Sequence, residues 1–252
     1  MGRRLRLDTD MVRRGLALSR AEAAHSIDAR RVLVNGSVAE KASRLVDPGD
    51  AVVLQGPPSR FVSRGGEKLA AALEAFTVDV SGCRALDAGA STGGFTDCLL
   101  QGGAAHVVAV DVGHGQLHPR IRDDPRVTVL ERFHVRDLTA DAIGGVVDLV
   151  VADLSFISII RVLPRLLGVV RPSGVLVLLV KPQFEAGKAE VDRGSGVIRD
   201  PLIHQRVCDE VTAALVEHGC EVLGWIDSPI TGAQGNREFL VHARAGRSGS
   251  AT

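Results

Sequence analysis

The stretch Ala85-Leu86-Asp87-Ala88-Gly89-Ala90-Ser91-Thr92-Gly93-Gly94-Phe95-Thr96 constrains this chain most: an apolar approach, an acid, three glycines and an amphipathic helix. A strand that runs through a tight glycine turn into a helix begins a β-α-β unit, and repeated units of that kind build mostly parallel sheets. Val107-Val108-Ala109-Val110-Asp111 supplies the next strand and ends in a carboxylate, where an acceptor for ribose hydroxyls belongs in a Rossmann-type unit. The glycines read G-x-x-x-G-G, which is not the G-x-G-x-x-G of a dinucleotide site. Asp87 also stands where a pyrophosphate would be repelled and a cation attracted. S-adenosylmethionine has a ribose, an ammonium and a sulfonium but no phosphate, so it suits that polarity and NAD does not.

At 252 residues and 45% hydrophobic content, the chain can bury one substantial core and a smaller one, enough for about two domains. Its longest apolar runs fall far below the roughly 18 residues of a membrane span, and the basic start Met1–Arg6 leads into Asp8 and Asp10, not into the apolar stretch of a secretory signal. Cys83, Cys98, Cys208 and Cys220 form no C-x-x-C pair, so neither zinc nor a disulfide framework is expected. The expectation is a cytoplasmic monomer without a metal. Net charge is zero, but residues 1–64 hold 12 Lys+Arg against 7 Asp+Glu, whereas the remainder holds 18 against 23. The front of the chain is the part suited to a polyanion.

That front end reads as two short helices, Asp10–Gly15 and Ser19–Ala29, followed by a hairpin over 31–38 turning at Asn35-Gly36, a type I′ signal. Ser19 and Glu22 are spaced as a capping box. Asp47-Pro48-Gly49-Asp50 is another turn, before a strand over Ala51–Leu54. Arg6-Leu7-Asp8, the run from Gly15 to Ala24 and Val32-Leu33-Val34-Asn35-Gly36 together resemble the S4 RNA-binding domain. The resemblance implies a basic surface for structured RNA, here supplied by Arg3, Arg4, Arg6, Arg13, Arg14, Arg20, Arg30 and Arg31, with Arg64 beyond. A glycine usual before the hairpin is replaced by Ala29-Arg30. The expected organisation is an S4-like domain over 1–58, a linker over 59–64, a catalytic domain over 65–245 and a disordered tail over 246–252.

From residue 84 strand and helix patterns alternate. Strands are expected at Ala85–Ala88, Val107–Val112, Val127–Leu130, Leu149–Ala152, Val175–Val180, Glu221–Ile226 and Phe239–Ala243, with helices near 94–101, 139–143, 158–167 and 200–218. This predicts an α/β fold with a mostly parallel seven-stranded sheet, covered on both faces, with ligands beyond the carboxyl ends of its strands. Asp87, Asp111, Asp153 and Lys181 then share one rim.

Lysine usage is the second clue. Only Lys41, Lys68, Lys181 and Lys188 occur among 30 basic residues. Lysine is a compact charge whose pKa moves on desolvation, so Lys68 and Lys181, at a glycine-rich entry and directly after a buried strand, point to chemistry. Val62-Ser63-Arg64-Gly65-Gly66-Glu67-Lys68-Leu69, the glycine motif, Ala152-Asp153-Leu154-Ser155-Phe156-Ile157-Ser158, Val180 to Lys188 and Gly235-Asn236-Arg237-Glu238-Phe239-Leu240 together resemble the TlyA family. These are hemolysin-named ribosomal RNA cytidine 2′-O-methyltransferases with an FtsJ-like catalytic domain of the Rossmann-like, S-adenosylmethionine-dependent class.

The resemblance implies a catalytic tetrad of Lys68, Asp153, Lys181 and Glu238. It also implies methylation of cytidine ribose in 16S rRNA, 23S rRNA or both within ribosomal subunits, and sensitivity to antibiotics of the capreomycin and viomycin type. Cofactor contacts are expected from Asp87, Gly89, Ser91, Gly93, Gly94, Phe95, Asp111, Val112 and Asp153, with Asp87 facing the cofactor's amino group. Phe133 and His134 stand where adenine recognition is usual. Two competing readings are a non-catalytic RNA-binding ribosome-assembly factor and a hemolysin-like membrane activity; the second needs an amphipathic or spanning element.

Overall fold

In the computed structural model, which describes residues 4–17, 20–56 and 59–246, the chain divides into two compact units after Arg64. Arg3, Ser19 and residues 247–252, named above, lie outside the described residues.

The first unit packs helices Leu7–Arg13 and Arg20–Asp28 beside an antiparallel sheet of Ser37–Val38, Val32–Val34 and Val52–Leu54. A second pair, Leu5–Arg6 with Leu45–Val46, was not anticipated. The first helix begins at Leu7 because Leu7 and Met11, one turn apart, are both fully buried and belong to one apolar stripe. Asn35 and Gly36 have φ of 52° and 81°, as a type I′ turn requires. Arg30, standing where the glycine is missing, adopts a left-handed φ of 56°.

The arginines expected to form an open basic surface are largely engaged within this unit. Asp8 and Asp10 are buried, and a buried carboxylate needs partners. Arg6 and Arg20 each reach Asp8 at 2.9 Å. Arg13 and Arg14 reach Asp10 at 2.6 and 2.5 Å, and Arg14 also donates to the carbonyls of Asp47, Pro48 and Asp50, closing that turn. Arg31 donates to Gln55 O, Gly56 O and Ser59 Oγ. Arg4 and Arg30 pair with Asp47 and Glu40 on the surface, and Arg64 is exposed. Arg14 and Arg31 thus have structural duties that the sequence count of charges did not reveal.

In the second unit the sheet comprises β1 (Arg84–Ala88), β2 (His106–Asp111), β3 (Val127–Glu131), β4 (Val147–Ala152), β5 (Val170–Val180), β6 (Glu221–Asp227) and β7 (Phe239–Arg244). Their order is β6-β7-β5-β4-β1-β2-β3, with β7 antiparallel to β5 and β6 and the other pairs parallel. Strand order reverses beside β1, so the loops after β1, β2 and β4 open a crevice at their carboxyl ends. The helices that bear on it are α1 (Gly65–Ala75), α2 (Gly94–Gln101), α3 (Ile159–Leu167), α4 (Pro182–Glu185) and α5 (Pro201–Glu217). Leu86, Val108, Val150, Leu176 and Leu178, all fully buried, form the centre of the core.

The mostly parallel α/β architecture is as expected, with three local differences. No helix forms over 139–143: a 3-10 turn at Val135–Asp137 precedes a turn that ends at Gly144 and Gly145, both at positive φ. Five residues before a glycine pair are too few to repay helix nucleation. β5 starts five residues early, at Val170, through a register shift before Val175. Helix α1 was not anticipated because two glycines, poor helix formers, open it; its inner face of Lys68, Leu69 and Ala72 is buried.

Burial alone would raise the Asp8 pKa, but hydrogen bonds from Arg6, Arg20 and Thr9 outweigh it and hold the carboxyl below its usual range. A carboxylate with a depressed folded pKa stabilises above its unfolded value of about 4, and that stability is lost as pH falls further. The full-length protein is therefore expected to lose thermal stability on acidification below about pH 4. In Asp8→Asn that part of the loss should be absent, while stability at pH 7 is lower than wild type. Thermal denaturation between pH 3 and 7, on the scale set by that carboxyl's ordinary pKa of about 4, checks both.

Candidate active site

The glycine turn after β1 sets the crevice. Gly89 has φ 88°, and a Cβ there would lie 2.5 Å from the carbonyl oxygen of Asp153, so only glycine lets the two loops pass this closely. Asp111, at the end of β2, ties the turn down: Ser91 N–H donates to its Oδ2 at 2.7 Å and Gly113 N–H to its Oδ1 at 2.6 Å. The resulting cleft, about 470 Å³, is lined by Gly89, Ser91, Asp111, Val112, Phe133 and Asp153, among others. That volume is in the range of small-molecule sites.

Other expected cofactor residues lie elsewhere. Gly93, Gly94 and Phe95 are buried where the turn enters α2, off the cleft wall. Asp87 is also absent from that wall and fully buried, with Thr96 Oγ1 donating to its Oδ2 at 2.7 Å and its Oδ1 lacking a hydrogen bond. The sequence placed Asp87 against the ligand; the helix that follows the turn folds over it instead. Burial pushes its carboxyl up to about 7, opposed by the Thr96 hydrogen bond and reinforced by the charges of Asp153 and Asp111. Phe133 lines the cleft and also packs on the core, and His134 beside it accepts from Arg136 N–H through Nδ1.

Two ion pairs occupy the rim beside the cleft. Lys181 follows β5 directly, and its Nζ lies 2.5 Å from Asp153 Oδ1 at the end of neighbouring β4 and donates to Ser155 Oγ at 3.2 Å. Lys68, on α1, donates to Glu238 Oε2 at 2.5 Å. Both lysines are 8% exposed and Glu238 is 4% exposed. Because Val180 and Phe239 are cross-strand partners, Lys181 and Glu238 are the next positions beyond that pair. Strand ends place Asp153, Lys181 and Glu238, and helix α1 brings Lys68 to them, as two lysine–carboxylate pairs at one edge.

Glu238 is held closely on its far side. A Cβ on Gly232 would meet Glu238 Oε1 at 2.0 Å. Asn236 is buried, accepts from Ile198 N–H through Oδ1 and donates to Gly196 O through Nδ2, fixing the loop that enters β7.

The FtsJ-like methyltransferase model matches residues 61–245, and the S4 domain model matches residues 5–52. A 16S/23S rRNA (cytidine-2′-O)-methyltransferase TlyA from Mycobacterium tuberculosis is 51% identical over 245 residues, covering 97% of this chain and 91% of the relative. This chain belongs to the TlyA family of FtsJ-like methyltransferases. Hemolysin A of Brachyspira hyodysenteriae is 39% identical over 94% of this chain and 99% of its own length. A 23S rRNA (cytidine-2′-O)-methyltransferase TlyA from Campylobacter jejuni is 29% identical over 92% and 96%. Among solved structures, a hemolysin-named protein from Streptococcus thermophilus superposes with a TM-score of 0.77 at 40% identity, covering 96% of this chain and 89% of that one. An S-adenosylmethionine-dependent methyltransferase from Mesorhizobium loti shares the fold, with a TM-score of 0.51 at 19% identity over 69% and 96%.

For this TlyA-family site, sequence reasoning missed Ser155 on Lys181 and the cleft residues Gln116, Leu154 and Ile157. Ser155 was within reach, since it lies two residues beyond Asp153 in the Ala152–Ser158 motif. Among the described residues no group of acids, histidines and cysteines is arranged to hold a metal.

Asp87 holds its proton more tightly folded than unfolded, so ionising it costs stability as pH rises from about 4 to about 7. Asp87→Asn is expected to raise the melting temperature by a few degrees at pH 8 and to leave it unchanged at pH 4, measured by calorimetry. Asp111→Ala removes an acceptor that also anchors the turn, and should weaken cofactor binding by about 1–3 kcal/mol in isothermal titration.

Proposed function

We propose that this protein uses S-adenosylmethionine to methylate the 2′-hydroxyl of cytidine in ribosomal RNA, acting on 16S and 23S rRNA within ribosomal subunits in the cytoplasm. The observation that carries the reading is the Lys181–Asp153 pair, 2.5 Å apart, beside a cleft with Asp111 on its wall. The residues present fit the cofactor. Two carboxylates, Asp111 and Asp153, stand on the cleft wall, a negative setting for an ammonium and a sulfonium. Asp111 is placed to accept from a ribose diol. Its two oxygens already hold Ser91 and Gly113 N–H groups, and each keeps a lone pair for a further donor.

The bound cofactor supplies an electrophilic methyl group on its sulfonium. Methyl transfer is an in-line displacement, and holding the 2′-oxygen against the methyl carbon supplies much of the acceleration. Lys181 aims its Nζ from the strand end, orienting the 2′-oxygen and stabilising the negative charge that develops as the hydroxyl proton leaves. Asp153 fixes that ammonium on one side and Ser155 on another. Glu238 holds Lys68, whose remaining N–H donors are available to the acceptor ribose or its phosphate. A neutral Lys181 would serve as general base; a charged one positions and polarises.

The S4 unit supports RNA as the substrate, with Arg4, Arg30 and Arg64 among its exposed arginines. Identity favours the dual-subunit reading, since the relative named for both rRNAs is 51% identical and the relative named for 23S alone is 29% identical. Sensitivity to capreomycin- and viomycin-type antibiotics follows if those nucleotides are the ones methylated. A hemolysin-like membrane activity finds less support: no described helix is long and apolar enough to cross a membrane. The test is transfer of labelled methyl to separate small and large subunits, with 2′-O-methyl sites mapped in each rRNA. Absence of any new site would overturn the proposal in favour of a non-catalytic assembly factor.

Lys181→Arg keeps the charge but replaces a compact ammonium with a broad guanidinium. Single-turnover methylation is expected to fall at least about 100-fold, with cofactor affinity nearly unchanged. Near-wild-type turnover would remove Lys181 from the chemical step.

A further inference from the structure

Between β4 and β5 the measured register ends at Ala152 opposite Leu178. Asp153 and Lys181 lie beyond it, on two loops that leave a parallel pair of strands with no backbone ladder to join them. What joins them is side chains. Lys181 meets Asp153 and Ser155, the rings of Phe156 and Phe184 lie 5.2 Å apart, and at the far end Glu185 crosses from one loop to the other.

The Glu185 crossing is the best-formed of these contacts. Ser158 Oγ donates to Glu185 Oε2 at 2.6 Å, and Ile159 N–H donates to Glu185 Oε1 at 2.7 Å. Ser158 stands at the N-cap of α3 but makes no side-chain cap of its own. The carboxylate that caps α3 is therefore borrowed from α4, four residues after Lys181. An anion at a helix N-terminus is favoured by the unpaired N–H groups and the helix dipole. Glu185 is half-buried, and burial raises its pKa against those hydrogen bonds, so the chain keeps a partly desolvated carboxyl where an exposed cap would do.

We propose that Glu185 is a positioning residue: by locking the loop after β4 to the loop after β5, it holds Lys181 and Asp153 at the separation the methyl transfer uses. The role rests on the 2′-O-methyltransferase reading above. Glu185 touches neither cleft nor ion pair directly, so its removal should misplace Lys181 without emptying the cofactor site.

The experiment compares full-length wild type, Glu185→Ala, Glu185→Gln and Ser158→Ala. Single-turnover methylation of ribosomal subunits at saturating cofactor should fall about 10- to 100-fold in Glu185→Ala, the scale of a misplaced catalytic group. Cofactor Kd by calorimetry should stay within about twofold, since a KM-type loss belongs to binding and a kcat loss to the chemical step. Glu185→Gln, which keeps an acceptor for Ile159 N–H, should recover most of the rate, and Ser158→Ala should lose less than Glu185→Ala.

Amide exchange at Ile159 and Ile160, measured without RNA, should accelerate in Glu185→Ala and remain slow in Glu185→Gln. An unchanged rate in Glu185→Ala would overturn the role, as would unaltered exchange, or a rate loss that merely tracks lost cofactor affinity or melting temperature. If the wild type itself transfers no methyl, the enzymatic reading fails, and the exchange data still decide whether Glu185 locks the loops.

Discussion

An ammonium group taken out of water must be met by negative charge or give up its proton, and this constraint organises the catalytic unit. Lys68 and Lys181 are both almost wholly buried, and each is met by one carboxylate at 2.5 Å. Buried ion pairs add little net stability, because desolvating both partners offsets their attraction. Under the proposed mechanism, their place at the crevice edge is preorganisation for chemistry. The sheet, its order reversal and the two loops beyond β4 and β5 are the means by which four residues distant in sequence reach one edge.

The parallel sheet was legible because its strands are apolar runs punctuated by glycines, a signal that depends on local pattern alone. Lys68 and Lys181 were visible in the chain's sparing use of lysine, and Asp153 at a strand end, but Glu238 and the grouping of all four came only from the resemblance to the TlyA family. Asp87 shows where such reading stops. Its place before the first glycine suggested a ligand contact, but whether a side chain at the end of β1 faces the cleft or the following helix depends on how α2 packs, and Thr96 claims it. Gly93 and Gly94 carry the same ambiguity: a glycine that eases packing and one that admits a ligand have the same letter. Helix α1 went unseen behind Gly65 and Gly66, although it carries Lys68.

The first unit illustrates a different limit. Counting charges along residues 1–64 gives an excess of arginine, yet Asp8 and Asp10 are buried and each gathers two guanidiniums. These carboxylates hold arginine heads in fixed positions on the surface. A side chain so held loses less rotamer entropy when it meets a phosphate, although its charge is partly spent. The surface is less positive than its composition and more rigid than a basic tail.

Strand β7 runs against its neighbours, so its beginning, not its end, lies at the functional edge. Glu238 precedes that strand and meets Lys68, a contact spanning 170 residues of chain. A contact of such sequence separation carries a large loop-closure cost. The lysine–carboxylate centre is complete only with β7 in place between β5 and β6, because the residue before β7 is Glu238. Lys68 thus owes its counter-ion to the strand at the far end of the chain. Under the proposed mechanism, activity therefore depends on β7 as well as on the cleft.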